Sequence, residues 1–144
     1  MRKVVLALLA LLVLIQLVPY GRAHDNPRGR IEPAWDRPQT RELVVRACFD
    51  CHSNETRWPW YSWIAPMSWL VERDVAEARE HVNFSEWNRE QEDAEEAAEE
   101  VEEGEMPLWF YTPLHREARL SEEERVTLIR GLEVTFGSAH EEDH

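Results

Sequence analysis

Cys48-Phe49-Asp50-Cys51-His52 holds both cysteines of the 144-residue chain and one of its six histidines. At the spacing Cys-x-x-Cys-His, each of two thiols can add to a vinyl group of a porphyrin while the adjacent imidazole reaches the iron. The stretch therefore predicts one haem c, covalently attached at Cys48 and Cys51, with His52 as its proximal iron ligand. Two other chemistries use paired cysteines. A redox disulfide expects its pair at the end of a strand that opens a helix in a βαβ unit, and no such pattern surrounds Cys48. A closed structural zinc site wants four protein ligands, and no second Cys-x-x-Cys or histidine pair at metal spacing follows.

Toward the N-terminus, Arg2 and Lys3 precede an apolar run from Val4 to Val18 that only Gln16 interrupts. Such a segment directs export, so the rest of the chain is expected in the periplasm or another extracytoplasmic space, with the positive charges left inside. Gly21-Arg22-Ala23 offers a small-residue cleavage site. Against cleavage, Val4 to Tyr20 is long enough to reach the short limit of a membrane span. Residues 1–23 thus read as a membrane anchor, with a removed signal peptide as the alternative.

The remainder is enough for one small domain. Residues 24–38, with Pro27, Pro33 and Pro38, read as a linker; residues 39–137 as the haem-binding domain; residues 138–144 as an acidic tail. Inside the domain the pattern is all-α. Thr40 is expected to cap a helix whose Leu43, Val44, Ala47 and Cys48 share a face, which puts the haem motif at that helix's C-terminal end. A helix is expected from Met67 to Val82, another capped by Ser85 and running through Glu103 up to a stop at Gly104, and a last one with Ser121 and Glu124 as a capping box and Gly137 as its end. A buried haem would supplement so small a core. The seven tryptophans suit a pocket around a flat macrocycle, with ordinary core packing as the competing explanation for at least half of them.

A low-spin iron needs a sixth ligand, and Met67, Met106, His81 and His115 are the candidates. Met106 is expected, because Gly104-Glu105-Met106-Pro107 is a kinked, non-helical element able to present a thioether opposite His52. His115 is its rival, and bis-His ligation would lower the potential.

Taken together, Cys48-Phe49-Asp50-Cys51-His52-Ser53-Asn54-Glu55-Thr56, Trp58-Pro59-Trp60-Tyr61-Ser62, Ile64-Ala65-Pro66, Ser68-Trp69-Leu70, Asn83-Phe84-Ser85-Glu86-Trp87 and Gly104-Glu105-Met106-Pro107 with Tyr111 resemble the bacterial haem-binding-domain family of short exported proteins. The layout is similar to that of class I cytochromes c. The resemblance runs from Pro19 onward. It implies a small cytochrome c-like helical domain, anchored at its N-terminus, with haem on Cys48 and Cys51, His52 as ligand and Met106 as the second.

The function expected is one-electron transfer outside the cytoplasmic membrane with His/Met ligation, exchanging with an unidentified redox partner protein. The alternatives are a haem-based sensor or peroxidase-like enzyme with an open sixth position, and a haem-storage protein. No nucleophile is left beside a base. A net charge of −13 excludes nucleic acid as a partner. Eleven of the twenty residues from Glu86 to Glu105 are acidic; a solvated helix is the expectation there, and steering of a basic partner the alternative.

Overall fold

The computed structural model of the protein describes residues 1–137, and the acidic tail expected at 138–144 lies outside them. It contains α1 (Arg2–Leu14), α2 (Pro38–Ala47), α3 (Phe49–His52), α4 (Met67–His81), α5 (Ala97–Glu103) and α6 (Glu122–Phe136). Short 3-10 turns lie at Ile15–Leu17, Trp60–Trp63 and Arg116–Ala118. Among the described residues no β-strand forms, only an isolated bridge between Ile31 and Glu86. The fold is all-α, as the periodicity predicts.

The helix ends follow local chemistry, with two departures from expectation. In α6 the capping box is complete: Ser121 Oγ accepts from the Glu124 amide at 3.2 Å, and Glu124 Oε2 accepts from the Ser121 amide at 2.8 Å. Gly137 ends that helix. Thr40 is not a cap. Arg37 occupies that position with Pro38 opening the helix, where a missing N–H costs nothing, and Thr40 is fully buried one turn in. The second departure is the acidic segment, which forms turns up to Glu96 and a helix only over Ala97–Glu103. Ser85 is engaged in a loop instead of a cap, its Oγ accepting the Asn54 amide and its own amide donating to Asn83 Oδ1, both at 3.0 Å, and a run of like charges adds no support at i,i+4 spacing. Gly104, at φ 81°, does end α5.

The core draws Leu43 and Val44 from α2, Phe49 from α3, Val82 and Phe84 after α4, Ala98 and Val101 from α5, and Leu128 and Leu132 from α6. Phe84, Trp87, Trp35 and Phe136 form an aromatic cluster beside it, with Trp87 and Phe136 centroids 4.8 Å apart. Where α2 crosses α6, a Cβ on Gly131 would lie 2.1 Å from Thr40 Oγ1 and 2.9 Å from Thr40 Cβ. The helices can approach this closely only because residue 131 lacks a side chain. Gly131→Ala is therefore expected to lower stability by about 1–3 kcal/mol despite alanine's better helix propensity, measured by thermal or denaturant unfolding. An unchanged midpoint would show that the α2–α6 contact is loose.

Residues 24–38 carry no helix before Pro38 and lie along the domain. The Ile31 amide donates to the Ser85 carbonyl and the Trp87 amide to the Ile31 carbonyl, both at 2.8 Å. Arg79 donates to the Asp25 carbonyl, Asn26 Oδ1, the Ser53 carbonyl and Thr56 Oγ1. Every residue of α1 is unburied. Among the described residues, no helix is long and apolar enough to cross a membrane.

Candidate functional site

The amides of Cys51 and His52 both donate to the Cys48 carbonyl, at 3.1 and 2.9 Å, so α3 is a single helical turn. Residues i, i+3 and i+4 share a helical face. That turn brings Cys48, Cys51 and His52 to one wall of a cavity of about 520 Å³. Such a volume suits a cofactor. Ala78, His81 and Val82 of the α4 end form a second wall; Ala97, Glu100 and Val101 of α5 form a third, with Met106, Pro107, Leu108, Phe110 and Tyr111 after it.

His52 is held from behind. Its Nδ1 lies 3.1 Å from the Val82 carbonyl, which can only accept, so Nδ1 carries the proton and Nε2 keeps its lone pair. Its own carbonyl accepts the Phe84 amide at 2.8 Å. Burial lowers its pKa, keeping the ring neutral and able to ligate a metal. A buried network clamps the loop after it: Asn83 Nδ2 donates to Asn54 Oδ1 at 2.8 Å, and the Ser85 amide to Asn83 Oδ1 at 3.0 Å. Spacing gave no signal for this clamp, whose partners are 29 and 31 residues apart across the Asn54 contacts.

Both cysteines are unpaired, and burial pushes each thiol up to about 12. A redox disulfide pair needs a lowered thiol pKa, so these are not poised for that chemistry. Between them, Asp50 accepts from Arg57 through Nε at 3.1 Å and through the second guanidinium nitrogen at 3.0 Å, and from Tyr111 Oη at 2.8 Å. The Tyr111 bond ties the haem motif to the loop that carries Met106. Burial, followed by the Asp50 charge, holds the Tyr111 phenol well above its usual range.

The ligand candidates separate. Met106 lies on the cavity wall, where its amide and that of Glu105 both donate to the Glu100 carbonyl at 3.0 Å beyond the Gly104 turn. His115 does not line the cavity. Its Nε2 is 2.7 Å from Tyr61 Oη, and its ring stacks on Tyr111 at 3.9 Å. Met67 is also absent from the wall, whereas His81 is on it, with Nδ1 paired to Asp93. Ligand atoms of Asp50, His115 and Glu117 lie within 4.8 Å of one another, but Arg57 already pairs with both carboxylates of that group. None of the seven tryptophans lines the cavity, which corrects the expectation of an indole-walled pocket. Trp35 and Trp87 serve the core, and Trp58 stacks on His24 at 4.6 Å.

A helical shell around an apolar cavity, with a neutral imidazole, a thioether and two free thiols on its walls, defines a small cofactor-holding protein of the haem type. The donor set fits iron porphyrin. A model of the haem-binding domain matches residues 10–134, and the chain belongs to that family. No curated protein and no solved structure matches it.

Proposed function

We propose that this is an exported c-type haem protein, held to the membrane by α1, that carries single electrons. Haem would be bound covalently by Cys48 and Cys51, with His52 and Met106 as its iron ligands. The observation that carries this reading is the placing of His52, both thiols and Met106 around one cavity, with His115 engaged by Tyr61 and Tyr111 instead. His81 suits the sixth position less well. It adjoins Val82, whose carbonyl holds His52, so it comes from the His52 side, while Met106 is carried beyond α5.

When bound, the haem supplies a one-electron ferric/ferrous couple. The chain fixes that couple's surroundings. Val82 sets the His52 tautomer, the Asn54, Asn83 and Ser85 clamp holds the loop behind it, and Ala78, Val82, Val101 and Leu132 keep water from the interior. Asp74, Glu77, Glu96 and Glu100 lie at the cavity, so an acidic surface borders the redox centre. That arrangement favours a basic partner, whose encounter rate should fall as salt rises.

The test uses protein matured in a host competent for c-type haem attachment. Its reduced spectrum should be little altered by carbon monoxide, and its electron exchange with a basic carrier should slow with ionic strength. A large carbon monoxide response in the wild type would favour the open-site sensor or peroxidase-like reading.

A further inference from the structure

The root of α1 is bonded into the domain. Gln16 Nε2 donates to the Ala65 carbonyl at 2.9 Å while its Oε1 accepts the Ala65 amide at 3.0 Å, so one side chain pairs with both polar groups of one backbone residue. Arg22 closes on Gln16, donating to its carbonyl at 2.8 Å and to its Oε1 at 3.0 Å. Gly21, at φ 77°, passes so near α4 that a Cβ there would lie 2.2 Å from the Ser68 carbonyl oxygen. Only glycine fits that position. Cutting the chain after Ala23 would remove all of these contacts.

Around this root the domain exposes apolar side chains. Trp60 is 75% exposed and Trp63 57%, and Tyr20, Ile64 and Met67 are exposed as well. In a 3-10 turn residues i and i+3 eclipse, so Trp60 and Trp63 stand on one side of theirs. Ile64 adjoins Ala65, the residue that Gln16 grips, and Met67 opens α4 beside Ser68, against which Gly21 is seated.

The α1 helix with its following turn rises about 26 Å, against about 30 Å of bilayer hydrocarbon. A short span is accommodated by a thinner bilayer or by drawing flanking groups into it. Tryptophan and tyrosine are the side chains that settle at the headgroup boundary, with ring in the apolar layer and N–H or O–H in the wet one. We propose that Tyr20, Trp60, Trp63, Ile64 and Met67 form a collar seated in the interfacial layer of a lipid bilayer, fixing the attitude of the haem domain on the membrane. The proposal rests on α1 being retained as an anchor. Lipid is the occupant because the collar is continuous with a helix that is unburied along its whole length and apolar from Val4 onward, and that is bonded to the domain at its root.

The test takes the full-length, haem-loaded protein into vesicles of phosphatidylethanolamine and phosphatidylglycerol, with and without acyl chains brominated near the headgroups. Flotation reads the anchor, and bromine quenching of tryptophan emission reads the collar. Wild type and Trp60→Ser/Trp63→Ser should both float. The quenched part of the emission should fall at least about two-fold in the variant. Because Trp63 also touches the His24 ring, with centroids 4.2 Å apart, Trp60→Ser alone serves as the second variant and should lose part of the quenching. Wild type that stays out of the floated fraction overturns the anchor and the collar together. Wild type that floats but is quenched no more than the two variants overturns the collar and leaves the anchor standing.

Discussion

Cys48→Ser and Cys51→Ser are each expected to weaken or abolish retention of haem under denaturing acid-solvent extraction, and the double variant to lose it completely. Both thiols sit one helical turn apart on the wall that also carries His52, so each has its own point of attack on a porphyrin held there. Burial keeps both protonated, and no disulfide competes for them. Serine preserves size and backbone, so the fold should survive and the loss should be specific to the attachment. Intact mass read beside the extraction gives the number of thioethers directly. Haem that extracts freely from the wild type would overturn covalent attachment altogether.

Met106→Ala is expected to have the next largest effect: a sixth position open to water or carbon monoxide, and a potential lower by an amount on the order of 0.1 V, within the roughly 0.8 V that axial ligands command. A neutral thioether favours ferrous iron more than water or imidazole does. His115→Ala should leave the spectrum nearly unchanged, since that ring is engaged with Tyr61 and Tyr111. The reverse pattern, with His115 essential and Met106 silent, would replace His/Met by bis-His ligation. An altered spectrum in His81→Ala with a silent Met106→Ala would assign the position to the α4 end.

The parts of the site that could be read in the sequence are those encoded within a few residues. Cys48, Cys51 and His52 fall together because i, i+3 and i+4 are neighbours on any helical turn. Met106 stood out because Gly104 and Pro107 on either side rule out a continuing helix. The supports were hidden for the opposite reason. Asp50 meets Tyr111 across 61 positions, and no local pattern marks either as the other's partner. Ser85 has the chemistry of a helix cap, and only the Asn54 amide, from another part of the chain, draws its oxygen into a loop contact instead. The tryptophans misled because a large apolar ring reports that it will be covered without saying by what. Trp87 went to Phe136, and Trp60 to the surface.

The α4 helix touches both ends of the molecule's business. At Ser68 it receives Gly21 from the root of α1, and at Ala78 and His81 it walls the haem cavity. The part of α4 that walls the cavity begins at Arg73, about 8 Å of helix rise from Ser68, and ends at His81, about 20 Å from it. If α1 lies in lipid as proposed, that rise would set the gauge between the membrane root and the cavity, and electron exchange with anything embedded in the bilayer would depend on it. A residue inserted into α4 would lengthen the gauge by only about 1.5 Å, but it would swing the cavity by about 100° about the helix axis. The mouth would then face a different neighbour, so under the anchored reading the length of this one helix would act as a selector of what the protein can reach.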